Sequence, residues 1–300
     1  MKKVKRNKNQ LTGMLFAAPP LIGFLLFGLL PMLISLVLSF GHLSTFDLFD
    51  IEFVGFDNYV RIFTEDTKFL KSIGNTFIYA IFSVIISIAL SLFLSVCLNT
   101  NIKLKKVIRI VLFIPYVCSM VALSTMWKWI LDYNYGVLND IVVFFGGDRV
   151  EWLNNEKTAM ICMILMSVWG GLGYNIILYT ASLSSLNKSY YEAAEIDGAS
   201  SFQQFRHITV PLIRPTTFFL TIMGFIGALQ SFANFQIMTP DGGPGLTTLT
   251  MGLRVYNAAF VDDSMRYGMG YASAMSWIVG VIVMIFTAIN FIINNRKEKK

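Results

Sequence analysis

The side chains that most often carry out chemistry in proteins are scarce in this 300-residue sequence. Its three cysteines lie in apolar runs without metal-ligand spacing, and its two histidines fall in different connections. No phosphate-binding G-x-x-x-x-G-K-[S/T] loop occurs, because no glycine is followed directly by lysine. We therefore expect free thiols, no metal, no cofactor and no catalytic site. The residues concerned are Cys97, Cys118, Cys162, His42 and His207.

The longest polar interruption between apolar runs, residues 189–215, has the local signals of two short helices. Ser189 and Glu192 fit a capping box, in which Glu192 would accept from the backbone N–H of Ser189, and a second such pattern begins at Ser200 or at Ser201. Gly198 lies between them and can take the left-handed conformation that ends a helix. The stretch is predicted to form a helix, a turn and a second helix.

The same stretch is suited to contact with another protein. Ala193 and Ala194 have almost no side chain, so a partner can approach the helix backbone there. Tyr190 lies one turn earlier on the same face, and Phe202 and Phe205 give the second helix an apolar edge. We expect these residues to form part of a docking surface.

The composition indicates that residues 189–215 are held in place by helices that cross a membrane. Apolar residues make up 55% of the chain and charged residues 14%, whereas soluble domains carry about 25% charged residues. Six apolar runs reach the roughly 20 residues that span a bilayer. We predict an all-α, polytopic membrane protein that forms a single domain over residues 1–300, with a kink at Pro115. The predicted spans are about 20–40, 73–98, 107–131, 159–183, 216–238 and 269–293.

The distribution of lysine and arginine predicts the orientation of these spans. Sixteen basic residues fall in the two tails, the second connection and the fourth connection, and seven fall on the opposite side. Both termini and the connection 184–215 are therefore predicted to be cytoplasmic. The net charge of +6 arises from basic residues that are concentrated in the predicted cytoplasmic segments. A nucleic-acid-binding protein would instead cluster them on one soluble face, so the charge does not indicate a nucleic-acid partner.

The polar connection resembles the cytoplasmic EAA loop of ABC importer permeases, whose spacing is EAA, three residues, Gly, nine residues, Ile-x-Leu-Pro. Val210 stands where that family has leucine. The positions that meet the spacing are Glu192, Ala193, Ala194, Gly198, Ile208 and Pro211.

Further stretches resemble the sugar-permease branch of this family, and together they cover most of residues 15–290. The GGP turn after the fifth run resembles the maltose-type first permease subunit. The stretches are FDNYVRIF (56–63), Asn75-Thr76, FIPY (113–116), WGGLGY (169–174), FQIMTPDGGPGLTT (235–248) and YGMGYASAMSW (267–277).

The resemblance implies a type I ABC importer permease fold in a bacterial cell membrane. It implies four kinds of partner besides the lipid bilayer: a second permease subunit, ABC ATPase subunits that hydrolyse ATP, an extracytoplasmic solute-binding protein and a carbohydrate substrate. The EAA-like loop would be the coupling helix that docks on the ATPase. The coupling residues are then Tyr190, Glu192, Ala193, Ala194, Gly198, Phe202, Ile208 and Pro211.

A sugar requires hydrogen-bonding side chains for its hydroxyls and aromatic faces for its C–H surfaces. Polar groups inside spans are costly, so they face a cavity or a neighbouring helix. Both interpretations stay open for each residue, and the second permease subunit would supply half of the pathway or none. The candidate substrate-pathway residues are Trp169, Tyr174, Asn175, Gln230, Ser231, Asn234 and Ser276.

Two alternatives remain at this point. One is an ABC permease for a non-sugar solute, which the WGGLGY and GGP stretches oppose by resemblance. The other is a six-span channel or secondary carrier, for which charges within the spans are expected. The spans carry almost none, since Lys128 and Arg109 lie near their ends.

Overall fold

A computed structural model describes residues 2–42, 51–99, 103–262 and 268–298, and within these ranges the chain is mostly helical. The predicted all-α class is confirmed, with one short antiparallel ribbon of β1 (Gly41–His42) and β2 (Glu52–Phe53). The helices are α1 (Lys2–Phe24), α2 (Leu30–Leu38), α3 (Asp57–Thr64), α4 (Thr67–Leu98), α5 (Lys105–Val117), α6 (Met120–Ile130), α7 (Val137–Phe144), α8 (Ala159–Ser184), α9 (Ser189–Ile196), α10 (Ser201–Gln204), α11 (Val210–Leu212), α12 (Arg214–Leu229), α13 (Ala233–Met238), α14 (Met251–Phe260) and α15 (Gly268–Glu298).

Three short segments complete the helical path. A π-helical segment, Leu25–Leu29, joins α1 to α2, and a second one, Phe205–Thr209, joins α10 to α11. A 3-10 turn, Pro244–Leu246, follows α13.

Within the described ranges, four helical stretches are long and apolar enough to cross a membrane: Thr12–Leu38, Thr67–Leu98, Ala159–Ser184 and Gly268–Ile293. Two bent pairs would raise the number to six. The α5–α6 pair bends by 103°, and Ser201–Leu212 bends by 65° against α12. The six-span topology therefore stays a prediction.

Three helix ends differ from the sequence-based boundaries. The first helix runs without a break through Pro19 and Pro20. The kink predicted at Pro115 lies just after it, between Val117 and Met120. The fifth run is not one helix to residue 238, because α12 ends at Leu229 and α13 is a separate helix.

The break after α12 is stabilised by a hydrogen bond from a distant part of the chain. The backbone carbonyl of Ser231 accepts a hydrogen bond of 3.0 Å from the Thr250 hydroxyl. Gly252 lies against the same carbonyl, where an added Cβ would come within 2.9 Å of the oxygen. The Ser231 carbonyl, which has no partner within α12, thus finds a hydrogen-bond donor elsewhere in the protein. A helix can break within a membrane-spanning region when its free backbone groups are satisfied in this way.

The chain divides into two compact units, one of which contains residues 1–66 and 255–280. In this unit the buried Asn58 side chain donates to the carbonyls of Ser39 and Gly41. The Trp277 indole donates to Ser35 Oγ at 3.1 Å. These bonds fix the ribbon and the first part of α15 on the N-terminal helices of that unit.

The other unit contains residues 67–254 and 281–300, and its centre is the packing of α4 against α8. Small residues allow these helices to approach closely, as is common in membrane proteins. Ser87, Ser91 and Ser95 recur every fourth residue on α4 and are buried. Asn175 of α8 donates to Ser87 Oγ at 3.0 Å. Gly173 lies against the backbone of α5, where a Cβ would come within 2.8 Å of the Leu112 carbonyl oxygen.

Candidate functional site

The candidate coupling loop, which we define as residues 187–213, connects α8 to α12. Its first helix, α9, begins at Ser189, as predicted. The capping box predicted there is wrong, because α9 has no side-chain cap of its own. Instead, the Asn187 side chain accepts a hydrogen bond of 3.0 Å from the backbone N–H of Ser189. A local asparagine turn thus replaces the predicted role of Glu192.

The turn between the two arms of the loop follows the sequence signals. Gly198 has a φ of +75°, in the left-handed region that favours glycine. The capping box predicted at Ser200 is confirmed. The Gln203 N–H donates to Ser200 Oγ at 3.4 Å, and Gln203 Oε1 accepts from the Ser200 N–H at 2.7 Å. The second arm therefore begins at a defined residue.

One side-chain bond joins the two arms, and another stabilises the start of the second arm. The hydroxyls of Tyr191 on α9 and the buried Thr209 lie 2.9 Å apart. The Gln204 side chain donates to the carbonyl of Ala199 at 3.2 Å. The loop is therefore folded before any partner binds.

The outer surface of the loop carries large apolar side chains. Tyr190 is 54% exposed, Phe202 is 68% exposed and Ile196 is 88% exposed. Ile196 was not among the predicted coupling residues. Of the others, Glu192, Ala193, Gly198 and Pro211 are exposed, and Ala194 and Ile208 are half-buried.

The end of the loop is fixed in the protein core. Ile213, directly before α12, is fully buried in a cluster with Tyr179, Leu183 and Leu220. The Tyr179 hydroxyl donates to Thr217 Oγ1 at 3.2 Å. Both ends of the loop are therefore joined where α8 meets α12, and a displacement of the loop would act on both helices.

A cavity of about 500 Å³ lies among α4, α5, α6, α8 and α12. Three of the predicted substrate-pathway residues line it: Tyr174, Asn175 and Ser231. The Tyr174 ring stacks on that of Tyr116, with centroids 5.2 Å apart and planes at 24°. Aromatic faces beside hydroxyl and amide groups are suited to a small polar solute.

The other four predicted pathway residues occupy different places. Asn234 is buried behind the cavity, where it accepts from Ser231 Oγ at 2.8 Å and donates to the Tyr79 hydroxyl at 3.4 Å. Trp169 packs against the Trp127 ring, with centroids 6.0 Å apart, and Gln230 is exposed at the end of α12. Neither is among the described residues that line the cavity. Ser276 belongs to the other unit and bonds the Ala272 carbonyl within its own helix.

Sequence reasoning missed five polar residues that line the cavity. The four-residue spacing of serines on α4 was a usable signal, because it marks one polar face of an apolar helix. Tyr116 had no such signal, since its position depends on the packing of α5 against α8. The missed residues are Tyr79, Ser83, Ser87, Tyr116 and Ser167.

Two stretches quoted for the family resemblance contact each other. The Asn75 side chain donates to the carbonyls of Leu246 and Leu249 at 2.7 and 3.0 Å. The Thr76 hydroxyl accepts from the Met251 N–H at 2.9 Å. The turn itself is built on left-handed glycines, including Gly242 with a φ of +84°. The start of α4 thus holds the glycine-rich turn.

Comparison with known proteins gives consistent matches. The family model described as "Binding-protein-dependent transport system inner membrane component" matches residues 87–299. The chain is 37% identical to the "Probable ABC transporter permease protein YesP" of Bacillus subtilis (strain 168), covering 97% of this chain and 93% of that protein. It is 34% identical to the "Lactose transport system permease protein LacF" of Rhizobium radiobacter, covering 93% of this chain and 92% of that protein.

A solved structure matches over the whole chain. It is a chain of the bacterial alginate ABC transporter in complex with an alginate pentasaccharide-bound periplasmic protein. The TM-score is 0.83 at 21% identity, covering 100% of this chain and 99% of that chain. This likeness confirms the predicted fold.

Proposed function

The chain belongs to the family of binding-protein-dependent transport system inner membrane components, and on that premise we propose that it is the maltose-type first permease subunit of an ATP-driven importer. Its solute is a sugar, an oligosaccharide or a related polyol. The observation that carries this proposal is the direct connection of the loop to the cavity, because α12 begins at the end of the candidate coupling loop and lines the cavity at Leu220, Met223 and Ala228.

The exposed apolar side chains of the loop support docking on an ATPase subunit. Burying a side chain such as Ile196 or Phe202 against a partner contributes about 1.5–3 kcal/mol. Because Ile213 is fixed in the core, displacement of the loop would be transmitted to α8 and α12. In this proposal, ATP binding and hydrolysis on the partner chains switch the cavity between outward and inward access.

The family and the fold support the proposed assembly. This chain would pair with a second permease subunit, two ATPase subunits and an extracytoplasmic solute-binding protein. Its termini and its candidate coupling loop would face the cytoplasm, in agreement with the distribution of basic residues. ATP hydrolysis would occur on the ATPase subunits, and this chain would provide half of the pathway in a bacterial cell membrane.

The lining of the cavity favours a neutral, hydroxyl-rich solute. The described residues that line it include four serines, three tyrosines and one asparagine, and none is charged. An amino acid or polyamine permease needs charged or oriented partners for an ionic solute, and an ion-coupled carrier needs ionisable groups. The similar proteins include a lactose transport permease and an importer of the acidic polysaccharide alginate, so the resemblance supports a carbohydrate of either kind. The uncharged lining of this cavity favours a neutral one.

Reconstitution in lipid vesicles tests this function. The chain is combined with its partner permease, ATPase and solute-binding protein, and uptake of labelled oligosaccharides is measured. We expect uptake that needs both ATP and the binding protein. Uptake of a sugar by this chain alone, driven by an ion gradient without ATP, would contradict the proposal and favour the secondary carrier.

A further inference from the structure

A second, smaller cavity of about 160 Å³ lies between α5 and α8, near the start of α5 and the end of α8. Its polar wall is formed by Arg109, Thr180 and Ser184. Its apolar wall includes Leu112 and Ile177. The cavity therefore combines one cationic group and two hydroxyls with hydrocarbon.

Two of these polar groups are buried without a hydrogen-bond partner. They are Nε of Arg109 and Oγ1 of Thr180. No carboxylate occurs among the described residues that line the cavity. A buried guanidinium nitrogen and a buried hydroxyl each cost free energy unless they are hydrogen-bonded, and the guanidinium also favours an anion. Two buried polar groups in the wall of one cavity can therefore bind the same ligand.

Phosphate is the anion that best fits these groups. A guanidinium presents a planar fork that matches two phosphate oxygens. The unpartnered Thr180 hydroxyl can donate to a further oxygen, whereas the Ser184 hydroxyl already donates to the Thr180 carbonyl at 2.8 Å. Lys105 and Lys106, in the first turn of α5, add positive charge one turn from Arg109. The positive end of the α5 dipole lies at the same place.

The apolar wall favours a lipid over a free phosphate ion. Ile177, which lines the cavity, is 47% exposed, and Val111 on α5 is 58% exposed. Arg109 lies four residues from the start of α5, and Thr180 lies four residues from the end of α8. Both are therefore about 6 Å from their helix ends, close to the predicted span boundaries at residues 107 and 183.

We propose that this cavity binds the phosphate-bearing headgroup of a membrane lipid, with its acyl chains along the exposed apolar faces of α5 and α8. Basic pockets between membrane helices are known to hold anionic headgroups. The inference rests only on the protein being in a membrane. Since both leaflets contain phospholipid, it is independent of the proposed orientation and transport function.

Native mass spectrometry of the full-length protein in mild detergent, with added dioleoyl phosphatidylglycerol, tests the proposal. We expect one retained phosphatidylglycerol, and no comparable retention of dioleoylglycerol, which lacks the phosphate. Arg109→Gln should lower the apparent affinity about tenfold, the factor expected when a charge-assisted hydrogen bond is lost. Lys157→Gln, which removes an exposed positive charge just before the start of α8 and outside this cavity, is the matched control and should retain the lipid.

Three outcomes would overturn the proposal. The first is equal lipid retention by Arg109→Gln and the unchanged protein. The second is complete displacement of the lipid by millimolar inorganic phosphate, which would make this a site for a free anion. If Arg109→Gln does not fold, Thr180→Val is tested instead, because it removes only the unpartnered hydroxyl. The third outcome is that Thr180→Val retains the lipid as well as the unchanged protein does.

Discussion

The hydroxyl of Tyr191 lies 2.9 Å from Oγ1 of Thr209 and joins the two arms of the candidate coupling loop across the Gly198 turn. Thr209 is buried, whereas Ile196 and Phe202 on the same loop are largely exposed. The loop thus presents an ordered apolar surface instead of an extended connection. Preorganisation of this kind lowers the entropic cost of docking on a partner.

Tyr191→Phe should loosen the loop without unfolding the helices that it connects. Losing one hydrogen bond costs about 1 kcal/mol, so amide hydrogen exchange in residues 189–212 should accelerate by roughly fivefold. The adjacent Tyr190→Phe is the matched control, because Tyr190 is 54% exposed. Equal exchange rates in the two variants would contradict a role for the Tyr191–Thr209 bond.

Ile196→Ala and Phe202→Ala should weaken binding of the ATPase subunit by about tenfold each, because each removes an apolar side chain from the proposed interface. Retention of the ATPase during affinity purification at graded dilution measures this change. Phe144→Ala is the control, since Phe144 is 83% exposed on α7, predicted to lie on the opposite side of the membrane. A loss of ATPase from the Phe144 variant alone would place the interface elsewhere.

Gly173→Ala should destabilise the protein by about 1–3 kcal/mol. Its Cβ would come within 2.8 Å of two α5 backbone atoms, the Leu112 carbonyl oxygen and Phe113 Cα, which cannot move without shifting that helix. Gly171→Ala is the matched control on the same helix, because its Cβ would meet Ser87 Oγ at an ordinary 3.5 Å. Thermal unfolding in detergent should separate the two variants. Equal midpoints would show that α5 and α8 do not pack this closely.

Tyr174→Leu should lower the maximal uptake rate at saturating solute-binding protein by about fivefold, because an aromatic face contributes about 1 kcal/mol to a stacked contact. Tyr135→Leu is the control, since Tyr135 is 77% exposed outside the cavity. Normal ATPase stimulation with reduced uptake would locate the defect in the pathway. Normal uptake by the Tyr174 variant would remove this cavity from the pathway.

The sequence predicted features that depend on local signals. The turn at Gly198 and the cap at Ser200 follow from residue types that favour these conformations, because glycine tolerates a positive φ and a serine three residues before a glutamine can form a capping box. At Ser189 two local signals competed, and the Asn187 turn satisfied the N–H that Glu192 was expected to cover. The spacing of the residues alone cannot distinguish a capping box at Ser189 from an asparagine turn at Asn187.

Features that depend on long-range packing were not predictable in the same way. Residues 229–238 include four polar side chains, three of which we interpreted as pathway residues, and no glycine or proline marks the break that a Thr250 hydrogen bond stabilises. Tyr116 reaches the cavity because α5 packs against α8, where its ring stacks on that of Tyr174. Tyr79 and Ser83 belong to α4. The sequence shows that this helix has a polar face, but it does not show which other helices that face contacts.

The most direct test of the account is photocrosslinking from the candidate coupling loop. A photoreactive amino acid replaces Ile196, which is 88% exposed, and in a parallel experiment it replaces Phe144. After illumination of native membranes, mass spectrometry identifies the crosslinked proteins. We expect position 196 to crosslink to an ABC ATPase subunit and position 144 not to do so. If position 196 crosslinks only to lipid, to copies of this chain or to an extracytoplasmic protein, the loop does not couple this permease to an ATPase.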